Sequence, residues 1–189
     1  MKDCILHEKG VLPKEMCEDI IHKFEFDWVG FQQVGSMAPD FRVDPTKEAS
    51  TEIFWDLDQM DPPFDLGYLG ECVSKYKEFF PILNDGVARW KICSTIKIQR
   101  YYPEEGYFLT HCENDGNCNG FSEKRMLVWM IYLNDVTDGG ETEFPTQNIK
   151  FQPRAGDILI WPAYFTHPHH GITSRTQTKY ILTGWYIFE

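Results

Sequence analysis

Two groups of residues in the second half of the sequence could together bind a metal ion. His111 and Glu113 are two positions apart, and three more histidines lie within residues 167–170. If residues 111–113 are extended, the imidazole and the carboxylate point to the same side of the chain. A histidine from the later group would then complete a set of two nitrogens and one oxygen on one face of a metal. Such a facial triad is typical of non-haem iron(II) sites, and it leaves coordination positions open.

Lys179 lies in an otherwise apolar stretch that continues as Tyr180-Ile181-Leu182. A buried lysine without a partner anion would lose its proton or destabilise the fold. Its partner is either an internal Asp or Glu, or the carboxylate of a bound ligand. The second interpretation suits a dicarboxylate that chelates the metal at one end and pairs with the lysine at the other.

The sequence around these groups predicts mostly β-strands, preceded by helices. Apolar residues recur at helical spacing over residues 12–24 and 64–80, whereas residues 28–63 predict short strands and loops. Alternating or wholly apolar stretches predict further strands at residues 90–101, 126–133, 158–161 and 180–188. Helices packed outside a β-sandwich or an open barrel, in one domain, are the simplest architecture for this pattern.

The composition excludes several classes of protein. The 189 residues include 29 acidic and 18 basic ones, and the formal net charge is −11. This charge repels nucleic acid and anionic membrane surfaces, so we expect neither as a partner. The first residues contain no apolar signal-peptide core, and the longest apolar run, residues 126–133, is too short for a membrane-spanning helix. We therefore expect a soluble, cytoplasmic protein whose six scattered cysteines are thiols.

Several short motifs occur in an order that resembles one enzyme superfamily. The motifs are Tyr102-Pro103-x-x-Gly106-Tyr107, His111-x-Glu113, residues 131–135, residues 139–145, Ala155-Gly156-Asp157, the histidine group, and Lys179-Tyr180 followed by Trp185. In this order they resemble the iron(II)- and 2-oxoglutarate-dependent dioxygenases, in the branch of the prolyl 4-hydroxylases. The resemblance extends over residues 88–189 and is weaker in the first helical segment.

The resemblance implies a mainly β fold with flanking helices around a distorted double-stranded β-helix, a jelly-roll or cupin-like core. Residues 1–189 would form a single domain, with residues 1–87 as a helical and mixed support region and residues 88–189 as the β-helix core. Fe(II), 2-oxoglutarate and O2 are the implied cofactors, with ascorbate as a candidate reductant. The implied reaction hydroxylates a substrate and releases succinate and CO2.

The branch of the superfamily favours a prolyl residue of a peptide or protein as the substrate. A free amino acid or another small molecule is the alternative. Two further hypotheses stay open, namely a non-catalytic, cupin-like module that binds metal and a cupin-type hydrolase or isomerase that uses another divalent metal. Lys179 argues against both, because neither requires a cation for an anionic co-substrate.

The resemblance also implies a role for each matching residue. The metal ligands are matched by His111, Glu113 and His169. Lys179 matches the basic residue of the family that binds the distal carboxylate of 2-oxoglutarate. The aromatic residues that line or flank the co-substrate pocket are matched by Tyr102, Tyr132 and Trp185. These seven residues form the predicted site.

Some of these assignments have alternatives within the sequence. Most relatives have Asp where this chain has Glu113, and Asp115 would be the substitute ligand on the same side of an extended segment. His169 is favoured as the third ligand because it lies ten positions before Lys179. The alternatives, at nine and twelve positions, are His170 and His167. Residues 30–42 form either a lid or substrate loop, or a plain connection.

Overall fold

The computed structural model describes residues 3–35, 44–46, 48–116 and 122–189. Residues 36–42, the larger part of the segment predicted as a lid, a substrate loop or a plain connection, lie outside the described residues. Five cysteines within the described ranges are free. None of the helices in these ranges is long and apolar enough to cross a membrane.

Helices lie mainly in the first half of the chain, and strands form most of the second half. The helical segments are α1 (Lys14–His22), a π-helical turn that continues it (Lys23–Asp27), α2 (Gly67–Phe79), α3 (Ile82–Asp85) and two 3-10 turns (Val29–Phe31 and Ser122–Lys124). The strands are β1 (Leu6–Glu8), β2 (Gln33–Val34), β3 (Glu48–Ala49), β4 (Thr51–Asp56), β5 (Trp90–Tyr101), β6 (Gly106–Tyr107), β7 (Arg125–Tyr132), β8 (Thr142–Phe144), β9 (Ile149–Phe151), β10 (Ile158–Pro162), β11 (His170–Gly171) and β12 (Lys179–Phe188).

The strands form antiparallel sheets. A seven-stranded sheet has the order β1-β10-β7-β12-β5-β4-β2, a three-stranded sheet has the order β11-β8-β9, and β3 pairs with β6. The prediction of a mainly β fold with flanking helices is confirmed. The strands β1, β2 and β4, which precede residue 88, belong to the same large sheet as the later strands.

One face of the seven-stranded sheet is covered by the helices. Ile20 of α1, Phe24 of the π-helical turn and Leu69 of α2 are buried, because helical spacing places their apolar side chains on the side that faces the sheet. They pack in one apolar cluster with Ile98 of β5 and Leu182 of β12. This cluster forms the larger part of the core and leaves the opposite face of the sheet free for the site.

The opposite face of the large sheet lines a cavity of about 1060 Å³. Side chains two positions apart on a strand share a face, so alternate residues of β5 and β12 point into the cavity. On β12 these are Lys179, Ile181, Thr183, Trp185 and Ile187. Thr142 of β8 and Gly171 of β11 also line the cavity, which therefore lies between the seven-stranded and the three-stranded sheets.

Candidate metal centre

His111 and His169 are held side by side by a short antiparallel backbone bridge. The His111 N–H donates to the His169 carbonyl at 3.0 Å, and the His169 N–H donates to the His111 carbonyl at 2.9 Å. The centroids of the two imidazole rings are 4.5 Å apart. Two distant segments of the chain thus present their histidines to the same point at one side of the cavity.

The carboxylate of Glu113 lies next to both histidines. Its Oε1 atom is 3.5 Å from Nε2 of His111 and 3.6 Å from Nε2 of His169. One potential ligand atom from each of the three residues lies within 4.8 Å of the other two. The structure therefore brings together the three residues that the sequence predicts as metal ligands.

Both imidazoles have the hydrogen bonding that a metal ligand needs. Nδ1 of His111 is 2.9 Å from the Leu109 carbonyl, and Nδ1 of His169 is 3.1 Å from the His167 carbonyl. A carbonyl only accepts, so each Nδ1 carries the proton and each Nε2 keeps its lone pair. Burial, the largest influence, also lowers the pKa of His169 and so favours the neutral ring.

Glu113 is held in the ionised form that a metal ligand requires. Burial alone would raise its pKa, but the adjacent rings of His111 and His169 and the charge of Arg125 outweigh burial and hold the pKa well below its usual range. Its Oε2 atom accepts hydrogen bonds from Nη1 of Arg125 and Nε1 of Trp185, both at 3.0 Å. Two neutral imidazoles and one carboxylate are the donor set of a facial-triad iron(II) site, so the residues present fit the metal.

The alternative ligands have other partners. The His167 ring lies 2.9 Å from the Asp3 carbonyl and 2.9 Å from the Thr166 hydroxyl. Nε2 of His170 lies 3.2 Å from the Glu143 carboxylate, and its Nδ1 lies 3.2 Å from the Thr110 hydroxyl. The carboxylate of Asp115 accepts a hydrogen bond from the Ser122 hydroxyl. In the described part of the chain, none of these three side chains joins the cluster of Glu113.

Lys179 is buried in the wall of the cavity. Its ammonium donates to the Gly140 carbonyl at 2.8 Å and lies between the rings of Tyr101 and Tyr132, 5.9 and 5.5 Å from their centroids. Burial lowers its pKa to about 8, although the Glu141 carboxylate opposes this shift. A cation in such surroundings favours an anionic ligand, because an anion would compensate the lost hydration.

Two further polar groups of the cavity wall lack partners among the described residues. The Oγ1 atom of Thr183 and the Nε1 atom of Trp161 are buried, and neither has a hydrogen-bond partner there. Buried donors are rarely left unsatisfied, so such groups mark the place of a ligand or an ordered water. Together with Lys179 they fit a carboxylate-bearing co-substrate beside the metal.

The predicted aromatic residues occupy three different positions. Tyr102 lines the cavity, is 45% exposed, and stacks on the Arg100 guanidinium at 4.1 Å. Tyr132 is fully buried beneath Lys179, and its hydroxyl donates to Thr142 at 2.8 Å. Trp185 lines the cavity and donates to Glu113. Tyr132 thus lies behind the cavity wall, whereas the other two belong to it.

Besides Trp161 and Thr183, two more residues of the site, Tyr101 and Arg125, are absent from the sequence prediction. Tyr101 lines the cavity and is the cross-strand partner of Lys179 in the pairing of β5 with β12. The alternation of β5 was the signal that could have identified it, because it shares a face with Gln99 and Lys97. Arg125, the cation on Glu113, comes from the start of β7. Only the folded arrangement brings its side chain to the metal site.

Comparisons with known proteins agree with this arrangement. Residues 96–187 match the family model described as the 2OG-Fe(II) oxygenase superfamily. A candidate prolyl 4-hydroxylase of Acanthamoeba polyphaga mimivirus is 31% identical over 105 residues, which cover 48% of this chain and 43% of that protein. The chain thus spans less than half the length of this curated relative.

Solved structures extend the likeness to nearly the whole chain. The viral collagen prolyl hydroxylase of Paramecium Bursaria Chlorella virus-1, solved as a 2OG complex, is 20% identical with a TM-score of 0.71, over 99% of this chain and 97% of that one. A prolyl hydroxylase of Trichoplax adhaerens, solved with a peptide fragment of the hypoxia inducible factor oxygen degradation domain, is 18% identical with a TM-score of 0.73, over 98% of this chain and 84% of that one.

Two facing sheets with a His-Glu-His cluster between them define a double-stranded β-helix fold with a candidate metal centre, and the likeness to solved structures confirms this predicted fold. Residues 96–187 match the model of the 2OG-Fe(II) oxygenase superfamily, and the mimivirus relative that this chain resembles bears the name of a prolyl 4-hydroxylase. Proteins of this superfamily use Fe(II), 2-oxoglutarate and O2, which are the predicted cofactors. The predicted resemblance to this superfamily and to its prolyl hydroxylase-like branch is therefore confirmed.

Proposed function

We propose that this protein is an Fe(II)- and 2-oxoglutarate-dependent dioxygenase that hydroxylates prolyl residues in a peptide or protein. The observation that carries the proposal is the presence of two chemically matched groups in one cavity. A cluster of two neutral imidazoles and one carboxylate lies at one place, and the buried ammonium of Lys179 lies at another. A hydrolase or a metal-binding module has no use for the second group.

Each residue has a defined task in this proposal. His111, Glu113 and His169 hold Fe(II) and leave its remaining positions open. The ammonium of Lys179 pairs with the distal carboxylate of 2-oxoglutarate. When bound, Fe(II), 2-oxoglutarate and O2 supply an oxidative decarboxylation that yields succinate, CO2 and a hydroxylated substrate. The protein contributes position and a partly enclosed cavity, whose buried walls limit the access of water to the reacting groups.

The Thr183 hydroxyl and the Trp161 indole complete the co-substrate subsite in this proposal. Both are buried donors without partners among the described residues, and both line the same cavity as Lys179. A dicarboxylate bound there would accept hydrogen bonds from groups that otherwise remain unsatisfied. Tyr101 and Tyr132 flank the ammonium with their rings and keep it out of contact with bulk water.

A peptide substrate is supported by the relatives and by the form of the cavity mouth. The mimivirus relative bears the name of a prolyl 4-hydroxylase, and the Trichoplax enzyme was solved with a peptide fragment. Tyr102 and Leu109 line the cavity of this chain and are 45% and 41% exposed. Exposed apolar and aromatic side chains at the rim suit contact with an extended peptide.

Succinate formation from 2-oxoglutarate tests the proposed activity. The protein, with Fe(II) added under anaerobic conditions and then exposed to O2, should form succinate, faster with proline-containing peptides. Mass spectrometry should detect a gain of one oxygen on proline. His111→Ala should abolish both signals, whereas His22→Gln, a change in α1 remote from the site, should leave them unchanged. Iron binding without any succinate would contradict the dioxygenase, and stimulation by free amino acids alone would contradict the peptide substrate.

A further inference from the structure

The two oxygens of the Glu113 carboxylate have different surroundings. Oε1 faces the two imidazoles, at 3.5 and 3.6 Å from their Nε2 atoms. Oε2 accepts two hydrogen bonds at 3.0 Å, one from Nη1 of Arg125 and one from Nε1 of Trp185. The carboxylate is therefore oriented from behind by two donors, and its other oxygen is turned towards the histidines.

The two donors are themselves fixed on adjacent strands of the large sheet. Nη1 of Arg125 also donates to the Glu113 backbone carbonyl at 3.1 Å, and its guanidinium lies 3.8 Å from the centroid of the Trp185 ring. Trp185 of β12 pairs with Val128 of β7, the strand that begins at Arg125. Asn114, next to Glu113, donates to the Arg125 carbonyl at 2.9 Å. The sheet thus holds both donors at a set distance from the ligand segment.

Resting on the metal site of the proposed function, we propose that Arg125 and Trp185 are positioning residues that bind Oε2 of Glu113 and thereby present Oε1 to the metal. Glutamate has one more rotatable bond than aspartate, so an unrestrained Glu113 would lose more conformational freedom on binding a metal. The two charge-assisted hydrogen bonds restrict that freedom in advance. They also set the distance that the side chain must span.

This arrangement explains why the longer side chain suits this chain. From the same backbone position, an aspartate carboxylate would lie one methylene short. It would reach either the donors on the sheet or the point between the histidines, but not both. Glu113 is therefore matched to its two partners, and an aspartate at this position is expected to function poorly here.

Metal affinity measures this role directly. We would titrate Fe(II) anaerobically into the wild-type protein and into Trp185→Phe, which keeps an aromatic ring beside Arg125 and removes the N–H. Loss of a hydrogen bond that orients a metal ligand costs roughly ten- to a hundredfold in metal affinity. We expect that loss for Trp185→Phe and for Arg125→Gln. Trp90→Phe is the matched control, because it removes an indole hydrogen bond, to Leu83, away from the metal, and it should leave the affinity unchanged.

Glu113→Asp provides a third test variant, and this substitution lies outside the sheet. We expect it to bind Fe(II) at least about tenfold more weakly than wild type, within the range for a disturbed metal ligand. Co(II) offers a readout independent of activity, because the intensity of its visible absorption depends on coordination geometry. We expect the Co(II) spectra of Trp185→Phe and Glu113→Asp to differ from that of wild type, and that of Trp90→Phe to match it.

The possible results separate the two proposals. If wild type binds Fe(II), His111→Ala does not, and both Trp185→Phe and Arg125→Gln bind like wild type, the positioning role is wrong and the metal site stands. Wild-type affinity in Glu113→Asp would overturn the requirement for the longer side chain. If wild type binds neither Fe(II) nor Co(II), the proposed metal site fails, and the positioning role fails with it.

Discussion

At the scale of single residues, each histidine ligand is oriented by a hydrogen bond from its Nδ1 atom. The lone pair of Nε2 therefore stays free to face a metal. Nδ1 of His111 donates to the carbonyl of Leu109, and Nδ1 of His169 donates to the carbonyl of His167. Each partner is the backbone of the residue two positions earlier. Because a carbonyl is present whatever the side chain, the residue two positions before each ligand can vary without changing the tautomer.

These backbone hydrogen bonds lead to a prediction for the histidines of residues 167–170. His169→Ala removes one of three ligands and should weaken Fe(II) binding by on the order of a hundredfold or more, beyond the loss typical of an orienting partner. His167→Ala should retain the affinity, because the group of that residue to which His169 donates is the backbone carbonyl, which alanine keeps. Anaerobic titration with Fe(II) measures both. The reverse order of effects would show that His167 is the ligand.

Because Lys179 is buried, we expect the binding of the co-substrate to depend on pH. Its pKa is lowered to about 8 by burial, and Glu141 is the charged group that opposes the shift. Below pH 8 the ammonium carries the charge that a dicarboxylate needs, so 2-oxoglutarate affinity should vary little there. Above pH 8 the affinity should fall about tenfold per pH unit, because binding then requires uptake of a proton.

Substitution of the lysine separates this effect from other titrations. Lys179→Met should weaken 2-oxoglutarate binding by on the order of ten- to a hundredfold, the equivalent of a charged hydrogen bond of about 1.5–3 kcal/mol. The decline above pH 8 should also disappear in this variant. Calorimetric titration of 2-oxoglutarate into the metal-loaded protein measures both. Unchanged affinity in Lys179→Met would remove the main support for an anionic co-substrate.

The sequence predicts some residues of the site better than others, and the reason is physical. His111 and Glu113 are two positions apart on an extended segment, so local geometry alone brings them to one side. The contact of Arg125 with Trp185 depends on the pairing of β7 with β12, a long-range feature that no local pattern contains. Tyr101 lies between these cases, because strand alternation indicates its face but not its proximity to Lys179.

At the scale of elements, β12 is the strand that organises the site. It lies between β5 and β7 and carries the residues that line the cavity from Lys179 to Ile187. Its pairing with β5 shifts register between Gly184 and Tyr186, so that residues 93–95 of β5 lie opposite Trp185. Such bulges are common beside active sites, where they redirect side chains. The bulge in β12 lies at Trp185, the residue whose indole N–H donates to Glu113.

Strands β12 and β7 are packed closely at Gly184. It lies opposite Trp129, which is fully buried, and a Cβ at Gly184 would overlap the Trp129 indole. Gly184→Ala should therefore destabilise the protein by about 1–3 kcal/mol through overpacking. Urea unfolding measures the change in free energy of unfolding.

Gly70 provides the matched control for this substitution. It is exposed in α2, and a Cβ there meets no atom within 4 Å. Gly70→Ala should stabilise the protein by roughly 0.5–1 kcal/mol, because alanine loses less conformational entropy in a helix. A Gly184→Ala variant as stable as wild type would show that the sheet adjusts locally and that the close approach is not required.

Long elements were predictable from the sequence, and very short ones were not. The strand predicted at residues 90–101 is observed with the same bounds, because its alternation is long enough to define a face. Strands β2 and β3 contain two residues each, within the region that predicts only short strands and loops. A two-residue strand has no periodicity of its own, and its existence depends on the partner with which it pairs.

At the scale of the whole molecule, the segment before residue 88 is connected to the β-helix core through charged and aromatic contacts. Glu25, in the turn after α1, binds the Arg100 guanidinium at 2.8 Å and accepts a hydrogen bond from the Tyr180 hydroxyl at 2.9 Å. Phe24 packs edge-on against the Tyr180 ring. One helical turn thus contacts both β5 and β12, the two strands that line the cavity on their other face. These contacts support our proposal that residues 1–189 form a single domain.

A single domain should unfold in one cooperative step. Phe24 is fully buried in the cluster between helices and sheet, so Phe24→Ala should lower the free energy of unfolding by about 3–5 kcal/mol. The matched control is Phe26→Ala in the same turn, whose side chain is 70% exposed and whose loss should cost at most about 0.5 kcal/mol. In urea, tryptophan fluorescence and far-UV circular dichroism should report one coincident transition for wild type and for both variants. A separate early transition in Phe24→Ala, with the later one unchanged, would show instead that the helical segment and the β-helix core are independent units.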